Sequence, residues 1–238
     1  MKKLLLLALL AVGMTAKAET TVNNSAADDE DKSLIDLGQG KDKNDRWSVH
    51  AYVGVDIPTG APDGVDFAPF RSWEINITPF QYDYTPKDWK TTFSAGLGIN
   101  WRTYTLRGHD KLFGKVNGWV TVGNSDPNDK WDDLSSNIQT TSLSMPLLVK
   151  QRISKGFAVS VGAQLNWNFY SRIHTYFERG DDELDVYTKK IGQRPFTVDV
   201  LGIVHVGKLG VYCKYSPMSV LKKDRGPEFK SLAVGLYF

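Results

Sequence analysis

Eight segments of this chain alternate apolar and polar residues with a period of two. Within residues 91–106, for example, Phe93 and Leu97 fall on one face and Asn100 on the other. Successive side chains of a β-strand point to opposite faces, so this period predicts strands with one apolar and one polar face. The segments are 46–56, 72–82, 91–106, 142–153, 157–170, 196–206, 209–215 and 229–238. The chain is therefore expected to be all-β.

The connections between these segments alternate strictly between long and short. The long ones are 57–71, 107–141, 171–195 and 216–228, and the short ones are 83–90, 154–156 and 207–208. Outer-membrane barrels have short periplasmic turns and long outer loops in this alternation, whereas a soluble sandwich has no reason to sort its loops. The pattern predicts a closed antiparallel up-and-down transmembrane β-barrel of eight strands in the bacterial outer membrane, with both termini periplasmic.

A two-residue hairpin signal, Asn117-Gly118, lies within the connection 107–141. Its arms, 112–116 and 119–123, are shorter than the roughly 9–11 residues that a spanning strand needs. We expect this hairpin to extend the barrel above the membrane. A ten-stranded barrel that includes both arms is the alternative.

The first 18 residues have the layout of a secretory signal peptide. Lys2 and Lys3 precede an apolar run at 4–12, and a small-x-small ending at Ala18 precedes Glu19. The apolar run is shorter than the roughly 20 residues of a spanning helix. We therefore expect cleavage between Ala18 and Glu19.

Residues 19–45 are polar and acidic apart from a weak apolar patch at 34–37, and a disordered periplasmic tail is expected there, ahead of a barrel domain at 46–238. Removing the three lysines of residues 1–18 leaves 26 of the 29 basic residues against 27 acidic ones. A charge near −1 offers no basic surface to nucleic acid, so no nucleic-acid partner is expected. The lone Cys213 excludes an internal disulfide.

The last segment of the chain alternates up to a final aromatic pair. It resembles the C-terminal sorting signal of bacterial outer-membrane barrels, which the barrel-assembly machinery reads. The signal residues are Leu232, Val234, Leu236, Tyr237 and Phe238. The resemblance implies that this machinery is a partner during biogenesis.

Two further stretches are similar to the PorT-like outer-membrane β-barrel family. Residues 142–153 carry Met145-Pro-Leu-Leu and lead through a tight turn into a glycine-containing strand at 156–163. Residues 211–217 and 226–238 are similar to the family's C-terminal part. The resemblance covers residues 46–238 and implies architecture and location, with no shared catalytic residues.

Two sets of side chains are expected on opposite faces of the barrel wall. Aromatic residues near strand ends predict a girdle at the two lipid interfaces, although core aromatics of a soluble barrel are the alternative. The girdle residues are Trp47, Trp73, Trp101, Trp167, Tyr82 and Tyr215. The polar set faces a lumen just wide enough for side chains, so paired charges and a plugged barrel are expected. Its members are Glu74, Arg102, Lys150, Arg152, Gln164, Asp199, His205 and Lys214.

The four histidines lack metal-ligand spacing, and neither a metal site nor a cofactor is expected. Acidic loops at 126–133 and 181–183 are oxygen-rich, but their spacing matches no EF-hand and solvated loops are expected. The expected function is non-enzymatic: a monomer with a structural or surface-interaction role in the envelope, among outer-membrane lipids and lipopolysaccharide.

Two other functions stay open. An outer-membrane lipid-modifying enzyme, deacylase- or acyltransferase-like, would use His50 and His205 across the lumen with Ser48 or Ser160. A satisfied interior histidine is the simpler interpretation of both. A secreted soluble lipocalin-like binder is the third possibility.

Overall fold

The computed structural model describes residues 35–39, 45–126, 132–180, 182–207 and 209–238. The predicted signal peptide, with its cleavage site at Ala18 and Glu19, lies outside these described residues, as does the predicted tail apart from 35–39 and 45. The described residues contain twelve strands and a 3-10 turn at Pro69–Arg71. The strands are β1 (Ile35–Gln39), β2 (Asp45–Thr59), β3 (Trp73–Tyr84), β4 (Thr91–Thr105), β5 (Lys111–Val116), β6 (Trp119–Asn124), β7 (Asp133–Ser154), β8 (Phe157–Arg179), β9 (Asp182–Lys189), β10 (Phe196–Val206), β11 (Leu209–Ser216) and β12 (Lys230–Tyr237).

Eight of the strands form a closed antiparallel ring. Their order is β2-β12-β11-β10-β8-β7-β4-β3, and β3 pairs back onto β2. At the closure, Val53 of β2 lies opposite Leu236 of β12 on one side and Ile75 of β3 on the other. The predictions of an all-β antiparallel sheet and of eight ring strands are confirmed. Strands β5 and β6 form a separate two-stranded sheet, so the ten-strand alternative is wrong.

The ring has two different ends. Short turns join β3 to β4, β7 to β8 and β10 to β11 at one end, which we call the short-turn end. The longer connections gather at the opposite, long-loop end. The two-residue turn at 155–156 places Gly156 at a φ of +73°, a conformation that side chains with a Cβ rarely adopt.

Two ring strands continue well past the ring at the long-loop end. Strand β7 has 22 residues and β8 has 23, and they stay paired out to Asp133 opposite Glu178. Strand β9 pairs with this extension of β8. The prediction of loops at 133–141, 171–179 and 182–189 is therefore wrong. Serine, threonine and asparagine dominate the first of these stretches, so no apolar period marks it as a strand.

Strand β1 occupies part of the segment that was predicted to be disordered. Its Ile35 lies opposite Val49 of β2. The last pair between β12 and β2 is Tyr237 opposite Tyr52, so β12 does not extend along the first part of β2. The backbone groups in the first part of β2 bond to β1 instead, which satisfies their hydrogen bonds. The composition of residues 35–39 does not reveal this pairing. The predicted disorder is wrong for residues 35–39.

Ten buried apolar residues cluster at the long-loop end, and we call this cluster the apolar cap. They come from β4, from the extensions of β7 and β8, from the β5–β6 hairpin and from four connections. The cap consists of Phe67, Tyr104, Leu106, Phe113, Val120, Ile138, Ile173, Ile191, Leu221 and Phe229. The Phe229 ring lies 4.6 Å from the ring of Phe67 and 5.2 Å from that of Tyr104, measured between centroids. Here apolar side chains face inward, as in a water-soluble domain.

Within the ring, the apolar face of each strand points outward and the polar face points inward. On the outer face, Val161 is 56% exposed and Val200 is 52% exposed, whereas on the inner face Glu74 and Asp199 are fully buried. The predicted separation of an apolar outer face from a polar inner face is confirmed. Within the described ranges, no helix combines the length and the apolar composition needed to cross a membrane.

Candidate functional site: the charged interior of the ring

Four charged side chains from four strands meet in the middle of the ring, and we call them the charge quartet. They are Glu74 on β3, Arg102 on β4, Asp199 on β10 and Lys214 on β11, and all four are buried. Glu74 and Arg102 are paired in register across β3 and β4, so both point inward. The other two reach them from the far side of the ring.

The quartet holds two acids and two bases in direct contact. Arg102 Nη2 donates to Asp199 Oδ2, and Lys214 Nζ donates to Glu74 Oε2. The pairs are also linked across, because Arg102 Nε lies 3.4 Å from Glu74 Oε2 and Lys214 Nζ lies 3.9 Å from Asp199 Oδ2. An unpaired charge in such a buried position is very costly, and the balanced quartet avoids that cost.

Neutral polar side chains complete the hydrogen bonding around the quartet. The Tyr52 hydroxyl accepts from Lys214 Nζ at 2.9 Å and donates to Gln164 Oε1 at 2.9 Å. Asn166 Nδ2 donates to Asp199 Oδ2 at 2.8 Å. The interior is therefore one connected network rather than a set of separate ion pairs.

Tyr212 is held against the wall by two small residues. Its hydroxyl donates to Glu74 Oε1 at 2.8 Å. A Cβ at Gly54 would collide with that hydroxyl, and one at Gly235 would collide with the Tyr212 ring. Sequence reasoning did not select Tyr52 or Tyr212 for the network. The signal was present, because both occupy polar-face positions in the alternation.

Asp56 differs from the other interior acids. It is fully buried, and neither of its carboxyl oxygens has a hydrogen-bond partner among the described residues. The two bases of the quartet already balance Glu74 and Asp199. Asp56 is thus an additional buried acid with no base of its own in the quartet.

Five of the eight residues predicted to line the interior belong to this network, and three lie nearer the short-turn end. Lys150 and Arg152 are partly buried near the end of β7. His205 Nε2 lies 2.8 Å from Ser160 Oγ. The ring of Tyr237 lies between the two interior histidines, stacked on His50 at 5.2 Å and edge-on to His205 at 5.6 Å.

Two serine–histidine contacts lie at this end, as the enzyme alternative would need. Ser48 Oγ lies 3.1 Å from His50 Nε2 and donates to Asp83 Oδ2 at 2.7 Å. The hydroxyls belong to serines that are 0% (Ser48) and 2% (Ser160) exposed. Neither hydroxyl is open to a substrate outside the ring wall.

The predicted girdle aromatics divide between the two ends of the ring. Trp47 and Tyr82 lie together at the short-turn end, with ring centroids 5.4 Å apart. The remaining four lie toward the long-loop end: Trp73, Trp101, Trp167 and Tyr215. All six are exposed or partly exposed.

The residues predicted as a sorting signal lie at the closure of the ring. Val234 and Leu236 are exposed on the outer face of β12, Leu232 is partly buried, and Tyr237 points inward. The backbone of Phe238 pairs with Ala51 of β2 through bonds of 2.8 and 3.2 Å.

A cavity of about 10 Å³, lined in part by Arg102, Tyr104 and Ser216, separates the charge quartet from the apolar cap. That is room for about one water molecule. Among the described residues, no three His, Cys, Asp or Glu side chains are grouped so as to hold a metal ion.

Comparison of the chain with protein-family models and with curated proteins found no match. The site is therefore interpreted from its own geometry.

Proposed function

We propose that this chain is a non-enzymatic, eight-stranded transmembrane β-barrel of the bacterial outer membrane. Its role is structural or surface-binding, through the extracellular long-loop end, and its lumen is plugged. The same proposal includes the PorT-like resemblance, export through a signal peptide cleaved after Ala18, insertion by the barrel-assembly machinery and a monomeric state.

The observation that carries the proposal is the reversal of polarity across the ring wall. Charged residues are fully buried inside, while a continuous belt of valine, leucine and phenylalanine is exposed outside. Water-soluble monomers rarely expose apolar patches larger than a few hundred Å². A belt around a closed ring is expected where acyl chains surround it.

The aromatic positions support the same orientation. Trp47 and Tyr82 would mark the periplasmic interface, and the group that includes Trp167 and Tyr215 would mark the outer one. The charge quartet and the apolar cap fill the interior, which supports a plug rather than a pore.

Membrane fractionation followed by gel electrophoresis of unheated and heated samples tests the proposal. A compact barrel in the outer membrane migrates faster unheated and sediments with membranes. Identical migration, or recovery from periplasm or medium without detergent, would contradict it. The soluble-binder alternative predicts the latter result, although a cavity of about 10 Å³ is far below the roughly 300–1,000 Å³ of ligand pockets.

The lipid-modifying enzyme remains the second candidate because of the Ser160–His205 and Ser48–His50 contacts. Refolded protein would be assayed for lipid A deacylase and acyltransferase turnover, with His50→Ala and His205→Ala as controls. Turnover that either substitution abolishes would replace the non-enzymatic proposal. We expect no turnover, because the serine hydroxyls are enclosed.

A further inference from the structure

Six exposed cationic residues lie on three segments that contact one another at the long-loop end, and we call them the cationic patch. They come from β5, from the last residue of β9 and the residue after it, and from the connection before β12. The patch consists of Lys115, Lys189, Lys190, Lys222, Lys223 and Arg225. Within the described part of the chain, none of them forms an ion pair with a carboxylate.

Specific contacts hold the three segments together. Lys115 Nζ donates to the carbonyl oxygen of Lys189 at 3.2 Å, and the backbone N–H of Lys222 donates to the carbonyl oxygen of Gly192 at 2.9 Å. The stem of Arg225 lies against Gly192, where an added Cβ would come within 2.8 Å of the Arg225 Cβ. The three segments that carry the cations are therefore held together by specific contacts.

Each segment is also anchored in the apolar cap. Val120, Ile191 and Leu221 are buried cap residues that lie in or beside these segments. The backbone N–H of Val120 donates to the carbonyl oxygen of Arg225 at 2.8 Å. Because the scaffold is fixed in advance, a ligand does not have to order these loops when it binds.

The patch carries a charge excess. On β5 and in residues 189–195 and 217–229 taken together, the exposed acids are Asp224 and Glu228, so two acids stand against the six cations of the patch. Lys111, by contrast, is already satisfied, because its Nζ donates to Asp66 Oδ2 at 2.8 Å and that contact lowers the pKa of Asp66. Neighbouring cations without a counter-charge favour a multivalent anion.

The patch adjoins the exposed apolar belt. The connection that begins at Lys190 leads into β10, whose first residue, Phe196, is exposed on the outer face. Tyr215, the second-last residue of the neighbouring strand β11, is exposed as well. A ligand that spans both surfaces has an anionic head and an apolar tail. If the ring is embedded as proposed above, the head lies at the level of the outer leaflet's head groups.

We propose that the cationic patch binds the phosphate groups of a glycolipid in the outer leaflet. This inference rests on the proposed function, since it needs the long-loop end to be the outer end of a membrane barrel. Each phosphate would be held by charge-assisted hydrogen bonds from Arg225 and the lysines around it.

The test is a titration of the purified full chain, in neutral detergent, with diphosphorylated lipid A, with the same lipid after removal of both phosphates, and with inorganic phosphate. The patch variant is Lys189→Gln/Lys222→Gln/Arg225→Gln. Its control is Lys87→Gln/Lys90→Gln/Lys155→Gln, which removes the same charge from exposed positions at the short-turn end.

We expect the patch variant to bind the phosphorylated lipid at least tenfold more weakly than the unmodified chain, and the control to change less than twofold. The dephosphorylated lipid should bind the unmodified chain as weakly as the patch variant binds the phosphorylated one, and inorganic phosphate alone should bind much more weakly than the lipid. Equal affinity of the two variants, or no preference for the phosphorylated lipid, would overturn the proposal.

Gel mobility of unheated and heated samples of all three proteins distinguishes failure of the phosphate site from failure of the membrane barrel. Heat-dependent mobility together with equal affinities overturns the phosphate site alone. Loss of heat dependence in the unmodified chain overturns the membrane barrel, and with it the glycolipid as ligand.

Discussion

The interior of the ring and the apolar cap share strands but differ in polarity: inward-facing side chains are polar and charged in the ring and apolar in the cap. Along the inward face of β4, Asn100 and Arg102 belong to the polar interior, and the next inward residue, Tyr104, belongs to the cap. The outward-facing residues of the ring wall are largely apolar and exposed, whereas the surface around the cap mixes exposed polar residues with exposed apolar ones such as Phe70, Leu184 and Val186. The inward face of β4 therefore changes from polar to apolar at the level of the cavity that Arg102 and Tyr104 both line. If the ring is embedded as proposed above, this is the level at which its surroundings change from acyl chains to water.

The largest expected effect comes from breaking the charge quartet. Lys214→Met removes the closer of the two bases that contact Glu74, and removing one partner of a buried ion pair costs about 3–5 kcal/mol. The free energy of unfolding would be measured by urea titration in phospholipid vesicles. Lys155→Met, at an exposed turn, should change it by less than about 0.5 kcal/mol. The double variant Glu74→Gln/Lys214→Met keeps Arg102 and Asp199 balanced, so it should be more stable than Lys214→Met alone; a less stable double variant would argue against the pairing.

A substitution in the apolar cap should destabilise the long-loop end without destabilising the ring. Phe229→Ala removes a buried ring that contacts Phe67 and Tyr104, at a cost of about 3 kcal/mol. Hydrogen exchange should speed up in the β5–β6 hairpin and the connection 217–229 while the ring strands stay protected. Phe70→Ala is the matched control, because Phe70 is 93% exposed. Equal loss of protection throughout the ring would show that the two regions are not separate.

A smaller effect on the free energy of unfolding is expected for Asp56, the additional buried acid. Asp56→Asn removes a carboxyl that has no hydrogen-bond partner among the described residues, so the free energy of unfolding should stay within about 1 kcal/mol or rise. Asp199→Asn, which leaves Arg102 without its main partner, should lower it clearly more. The same urea titration measures both. Similar losses would mean that Asp56 is also matched by a cation.

The smallest effect concerns the water-exposed surface at the long-loop end. Lys111 holds the pKa of Asp66 below its usual value, so this contact stabilises the loop above the ordinary carboxyl pKa of about 3.9 and is lost as the pH falls through the lowered pKa. Lys111→Met should bring the pKa of Asp66 back toward about 3.9. An NMR titration of the Asp66 carboxyl measures the shift, and an unchanged titration would exclude the contact.

The ring could be predicted from the sequence, whereas much of the long-loop end could not. Alternation along 91–106 and 157–170 marks strands because their two faces meet different surroundings. The extensions at 133–141 and 171–179 have no such contrast, since connections pack over them and both faces mix polar and apolar residues. Strand β1 was missed because its partner is a stretch of backbone on β2, which no side-chain pattern records.

The charged interior was predictable in composition but not in pairing. Alternation places Glu74, Arg102, Asp199 and Lys214 on one face, yet only the closed register decides that they meet. Alternation also places Tyr212 on the polar face, but its contact with Glu74 depends on the space that Gly54 and Gly235 leave, which no pattern along the chain shows.

The most direct test of the account compares one substitution at two exposed valines. Val200 lies midway along β10 on the outer face of the ring and is 52% exposed; Val186 lies on β9 beyond the ring and is 42% exposed. In phospholipid vesicles, Val200→Arg should lower the free energy of unfolding by about 2–4 kcal/mol, because the guanidinium enters the hydrocarbon layer. Val186→Arg should change it by less than about 0.5 kcal/mol. Equal and small effects at both valines would contradict the account, since the outer face of the ring would then be in water.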